Sequence, residues 1–299
     1  MKKSTKILVA AVLVLAAGYL IQRFTSRTST TARTHLFAGL DTSTINEISL
    51  DGRFAIRLKR EQGRWMLESP VANPADQGQV EMLLSKISTD PSGFAVASDL
   101  SDTAAYGFRS STLTVKTSGG KVVSLNIGGT TPDFEGCYVQ VAGESKVLEL
   151  SENLRTFVDE PLKDWREKRI FTANLSDLQS VEFEVGDTLY HFVRQDTVWE
   201  VNGRQLPSSR ITEPTESLVG VEAMDFIDSV VSAANTLVEF EFSESSGRQV
   251  SGKIFKVAEL DCLSSSATNQ VYVVSPTLPE NLLRSLRQIR KDYLTRKRE

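Results

Sequence analysis

Leu178-Gln-Ser-Val181-Glu-Phe183-Glu-Val185 alternates apolar and polar side chains, the two-residue period of a half-buried strand. Ile45-Asn-Glu-Ile48-Ser-Leu50, 133 positions earlier, alternates in the same way. The residues downstream of the two stretches are also alike. The earlier one leads to Phe54-Ala-Ile56-Arg-Leu58-Lys-Arg60, a turn at Gln62-Gly63, and Trp65-Met-Leu67. The later one leads to Leu189-Tyr-His-Phe192-Val-Arg194, a turn near Asp196-Thr197, and Trp199-Glu-Val201. Three strands in succession, met twice, predict two units of one design.

The second halves correspond at a shorter offset. Thr112-Leu113 and Thr236-Leu237 open strands, and Cys137 and Cys262 stand 125 apart. Val147-Leu-Glu-Leu150 corresponds to Val271-Tyr-Val-Val274. Helices are then expected from Glu152-Asn153-Leu154 and Glu280-Asn281-Leu282, with Ser151 and Pro279 suited to the cap and first turn. Between the halves, Pro74-Ala-Asp76 leads into a predicted helix with Val80, Leu83, Leu84 and Ile87 on one face. The second copy has Pro214 and Gly220 there, which specify a helix weakly, and nothing like Tyr106-Gly107-Phe108.

The 299 residues suit two domains, and 40% hydrophobic with 24% charged content excludes a disordered or multi-span chain. The net charge of −4 conceals an uneven distribution. Six basic and no acidic side chains lie in 1–40, and 279–299 carries a local +4, so the body from 41 to 278 is near −14. Such a body argues against nucleic acid as a partner. Lys2, Lys3 and Lys6 precede an uncharged run, Ile7 to Ile21, which reads as a membrane anchor or a cleaved signal peptide. The expected division is a cytoplasmic N-terminus at 1–6, an anchor or signal peptide at 7–24 and a flexible tether at 25–43. Two repeat units complete the chain, at 44–165 and 166–299, the second with a basic C-terminal helix. The fold class expected is α+β, a single transmembrane helix followed by two antiparallel-sheet-plus-helix units.

Candidate chemistry is sparse. His35 and His191 lack a Ser-His-Asp setting and read as surface or interface side chains. Cys137 and Cys262 read as small buried residues at matching places; a disulfide would need Cα atoms within about 7 Å, which repeat equivalence does not ensure. Gly128-Gly129-Thr130-Thr131-Pro132-Asp133 lacks the Gly-Lys-Ser/Thr ending of a phosphate loop and reads as a hairpin or loop. Asp99, Asp102, Asp133 and Glu135 fit no calcium-loop spacing. Trp65 and Trp199 read as packing residues rather than sugar platforms. Leu282, Leu283, Leu286, Ile289 and Tyr293 share a helix face ringed by Arg284, Arg287, Arg290 and Lys291, either a closing helix or a basic end that touches a membrane or an acidic partner. No catalytic, cofactor-binding or metal residue is expected.

The order of these elements resembles the bacterial domain of unknown function 4340. The residues carrying the resemblance are Ile45 to Leu50, Ile56 to Arg60, Trp65 to Leu67, Pro70, Ala75-Asp76 and Tyr106-Gly107-Phe108. Ile127-Gly128, Tyr138-Val139 and the charged junction Asp164-Trp-Arg166-Glu-Lys168-Arg169 continue it. The resemblance implies a single N-terminal membrane segment and an exported body. It also implies an accessory role beside ABC transporters, including those of the gliding-motility kind. The expected protein is a non-enzymatic accessory of the cell envelope, single-pass in the inner membrane with its body outside the cytoplasm. The alternative is a module binding envelope polysaccharide or lipid.

Overall fold

The computed structural model describes residues 33–99, 104–231 and 235–294. They form two compact units, divided between Trp165 and Arg166. The first contains β1 (Thr34–His35), β2 (Ile45–Asp51), β3 (Ala55–Glu61), β4 (Arg64–Ser69), β5 (Asn73–Pro74), α1 (Gln77–Ser88) and β6 (Ser92–Ala97). It continues with β7 (Thr112–Thr117), β8 (Val122–Thr130), β9 (Cys137–Val141), β10 (Val147–Leu150) and α2 (Arg155–Asp159). Its sheet runs in the order β1-β6-β10-β9-β8-β7-β2-β3-β4-β5. Every neighbouring pair is antiparallel.

The second unit contains β11 (Leu178–Val185), β12 (Thr188–Gln195), β13 (Val198–Val201), β14 (Arg204–Leu206), α3 (Ser208–Val219) and β15 (Asp225–Ile227). It closes with β16 (Asn235–Glu244), β17 (Gln249–Val257), β18 (Leu260–Ser265), β19 (Val271–Val273) and α4 (Thr277–Ile289). Its order is β14-β13-β12-β11-β16-β17-β18-β19-β15. Read from β15, this is the connectivity of the first sheet from β6 to β5.

Local chemistry accounts for the elements. Alternation makes the strands, and short turns with left-handed residues reverse them, as at Gln62-Gly63 and Asn202-Gly203, where both φ values are positive. Helix α1 starts because the Asp76 carboxylate accepts the Gln79 N–H at 2.9 Å. It presses Val80, Leu83 and Ile87 onto the sheet face formed by Ile48, Leu50, Ile56 and Leu58. In the second unit, α3 and α4 place Ile211, Leu218, Leu282, Leu286 and Ile289 over Phe183, Phe192 and Phe242. Each such side chain, once buried, contributes about 1.5–3 kcal/mol. The other face of each sheet carries mainly polar side chains.

Several expectations need correction. The α+β class headed by a membrane-spanning helix gives way to two mainly antiparallel β units with short helices. Among the described residues no helix is long and apolar enough to cross a membrane. The stretch 7–24 lies outside the described residues, as does 25–32 of the expected tether. The described part of that tether belongs to the first unit, because Thr34–His35 pairs with β6 and Phe37 is buried in the core. Helix α2 starts at Arg155, later and shorter than expected, with Asn153 accepting the Arg155 N–H at 3.2 Å. The weakly specified region around Pro214 forms α3 in full, its proline packed inward.

The two cysteines occupy equivalent strands, β9 and β18, but opposite faces. Cys137 lies in the first core, whereas in β18 it is Leu263 that enters the core and Cys262 that points away from it. A one-residue difference in register is enough, because side chains alternate with period two. Both thiols are free.

Candidate interaction surface

Strand β8 loses its regular register with β9 after Ile127, which pairs with Val139, and regains it at Thr130, opposite Cys137. The extra residue makes a bulge at Gly128-Gly129. Tyr106-Gly107-Phe108 sits directly on that bulge. The Gly129 N–H donates to the Tyr106 carbonyl at 2.7 Å, and Gly107 is left-handed at φ 62°. A Cβ on Gly128 would lie 2.6 Å from the Tyr106 carbonyl oxygen, and one on Gly107 would lie 3.0 Å from the Gly129 Cα. Glycine is needed on both sides because two backbones touch. Arg155, from α2, donates to the Gly128 carbonyl at 2.7 Å and pairs with Asp159 at 2.9 Å.

The outward side of this region carries a row of aromatic side chains. Tyr138 on β9 stands opposite Glu149 on β10, which stands opposite Phe94 on β6. The Tyr106 ring meets Tyr138 edge-on, 5.1 Å between centroids. At the other end the Arg33 guanidinium lies 5.1 Å from the Phe94 ring centre, while Phe94 remains 36% exposed. Desolvation chiefly, and then the Glu149 carboxylate, push the Tyr138 phenol above its usual range, so it stays a neutral hydrogen-bonding group. The row offers π-faces, one carboxylate and phenolic hydroxyls, a combination suited to contact rather than proton transfer.

The loop after the bulge is closed on itself. The Thr131 and Gly136 backbones bond at 3.0 Å, Gly136 N–H donates to the Thr131 hydroxyl, and Phe134 N–H donates to the Thr131 carbonyl. Asp133 accepts the Thr131 hydroxyl and the Glu135 N–H, which hold its carboxyl below the usual range. The donors a phosphate would need are therefore already engaged.

The remaining candidates disperse. His35 faces Asp90 at 3.1 Å and His191 faces Glu182 at 3.0 Å, each beside one carboxylate on the surface. Burial pushes the Cys137 thiol up to about 11, and burial also raises that of Cys262, so neither is poised as a nucleophile. Asp99 comes after β6, Asp102 lies outside the described residues, and Asp133 and Glu135 share the closed loop between β8 and β9. Among the described residues no three His, Cys, Asp or Glu side chains could hold a metal ion. Trp65 and Trp199, 4% and 9% exposed, pack in the two cores, so the sugar-stacking reading loses its support. On α4, Arg284 faces Glu213 at 3.7 Å, and Leu282, Leu286 and Ile289 are buried as a closing helix requires.

The fold also brings together a group of acids that no sequence motif announces. Glu182 and Glu184 of β11 stand directly opposite Glu241 and Glu239 of β16, lining a groove of about 360 Å³ with Ser251, Lys253 and Ser264. The signal was present as Glu182-Phe-Glu184 and Glu239-Phe-Glu241, two strands with acids on one face. Lys253 pairs with Glu239 at 2.8 Å, which relieves part of the like-charge repulsion, and the His191 ring hydrogen-bonds Glu182.

A family model described as Domain of unknown function (DUF4340) matches residues 65–239, more than half the chain, from β4 of the first unit into β16 of the second. No curated protein and no solved structure matches the chain.

Proposed function

Because the chain belongs to the family described as Domain of unknown function (DUF4340), whose description names no activity, we propose a function from the geometry: a non-catalytic interaction module that docks through the outward face of its first unit. The observation that carries this reading is the row Phe94, Glu149, Tyr138 and Tyr106, built on the Gly128-Gly129 bulge. Aromatic groups held rigidly at a surface favour association, because little side-chain freedom is lost on contact. The connection from α3 to β16 in the second unit contains no Tyr-Gly-Phe, so the feature distinguishes one unit from the other. The basic, apolar leader supports a partner in the cell envelope, and a transporter permease is the first to test.

The experiment is gentle extraction of the full chain from its native cells, followed by identification of the proteins that co-purify. A defined partner is expected, and the double variant Tyr106→Ser/Tyr138→Ser should lose it while retaining the wild-type circular dichroism spectrum. A chain recovered alone, or a partner retained by the double variant, overturns the reading. Burial of both tryptophans removes the main support for a polysaccharide-binding module.

A further inference from the structure

The loop between β8 and β9 follows the bulge on which the aromatic row is built, and the residue at its tip is unusual. Phe134 is 79% exposed and has a left-handed backbone, φ 65°. A bulky side chain with a Cβ is strained there, and an exposed ring gains nothing from burial. Among the described residues no packing contact offsets either cost. The loop nevertheless holds the backbone beneath the ring in one conformation. Its backbone is closed by the Thr131–Gly136 and Phe134–Thr131 hydrogen bonds, and the Asp133 carboxylate ties Thr131 to Glu135. Thr130 pairs with Cys137 at the base, so the brace is continuous with the strand that presents Tyr138.

An exposed aromatic side chain on a braced backbone suits a binding hot spot, since the loop's ordering cost is met before contact and the ring has few torsions left to fix. Asp133 and Glu135 flank it and fix the character of the surroundings it fits. We infer that Phe134 is the anchor of the interaction surface and inserts into an apolar pocket of a partner protein whose rim is basic. This rests on the proposed docking role of the first unit and adds the anchor and the chemistry of the partner. A lipid surface suits the loop less well, because two carboxylates beside the ring would be pressed against anionic headgroups.

The test is Phe134→Gly in the full chain, with thermal unfolding and partner co-purification measured together. Glycine accepts the left-handed backbone, so the variant should melt at or above the wild-type temperature. The same variant should retain about tenfold less partner or lower still. Retention by the wild type should also fall between about 50 and 500 mM salt, as opposite charges at a rim require. Melting several degrees below wild type would make Phe134 a structural residue and overturn the inference. So would undiminished partner retention, or wild-type binding to phosphatidylglycerol vesicles that Phe134→Gly abolishes. If Phe134→Gly keeps the partner while Tyr106→Ser/Tyr138→Ser loses it, the surface stands and the anchor falls. If both keep it, both readings fall.

Discussion

Gly128→Ala tests whether the Tyr106 loop is seated on the β8 bulge. The new methyl would lie 2.6 Å from the Tyr106 carbonyl oxygen and 3.1 Å from both the Cβ and the carbonyl oxygen of Tyr138. Strand backbone on one side and loop backbone on the other leave no flexible side-chain end to yield, so the loop must lift. Lifting it gives up the Gly129–Tyr106 hydrogen bond, worth about 1 kcal/mol net, and the edge-on tyrosine pair, worth about 0.5–1.5 kcal/mol. The lower entropy of an unfolded chain with alanine returns about 0.4–1 kcal/mol. The net loss is about 0.5–2 kcal/mol. For a unit of this size that lowers the first unit's transition by roughly 2–10 °C. Thermal unfolding followed by circular dichroism reads it directly. Gly119→Ala is the control, since its nearest atom is the Thr117 Oγ1 at 3.8 Å and the change should stay within about 0.5 kcal/mol of wild type. Equal melting temperatures for the two variants would refute the seating of the loop on Gly128.

Two other perturbations probe the cores. Arg166, 2% exposed, is held by two 2.9 Å contacts to Asp228 and lies 3.9 Å from the Phe226 ring centre. Asp228→Ala removes that carboxylate from a buried cation and should destabilise the second unit by about 2–4 kcal/mol in urea unfolding. Arg166→Met should cost less, because the carboxylate it leaves is half exposed; the reverse order would sink the argument. Cys137 gives a pH dependence whose sign is fixed. Its folded thiol ionises only at about 11 against 9.0 for an ordinary thiol, so its contribution is intact below pH 9 and is lost as pH rises toward 11. The loss amounts to roughly 2–3 kcal/mol. Cys137→Ala should flatten the fall in melting temperature between about pH 8 and 10.5 relative to wild type; parallel slopes would contradict it.

Much of the strand pattern was legible in the chain, because it arises from neighbours in sequence. Ile48 and Leu50, like Val181 and Phe183, face inward in the phase their alternation predicts. The left-handed pair at Gln62-Gly63 marks its turn, and Val80, Leu83 and Ile87 mark the buried stripe of α1. Register was less legible. The sheets shift phase between Ile127 and Thr130 and between Thr236 and Val238, and each shift breaks the link between position in sequence and side of the sheet. Cys137 and Cys262, 125 apart, face opposite sides because their strands correspond at 124, Val139 with Leu263 and Leu148 with Tyr272.

The candidate surface was legible only in pieces. Tyr106-Gly107-Phe108, Gly128-Gly129 and Tyr138 each stood out, yet no local rule says that the first must rest on the second. The repeated strand order, the tryptophans of the cores and the uneven charge are properties of the chain itself, set by side-chain period and composition. Which glycine receives which loop, which aromatic rings reach solvent together, and which acids stand opposite one another were decided by tertiary structure. Those contacts join residues distant in sequence, and their positions depend on bulges that only the folded sheet reveals.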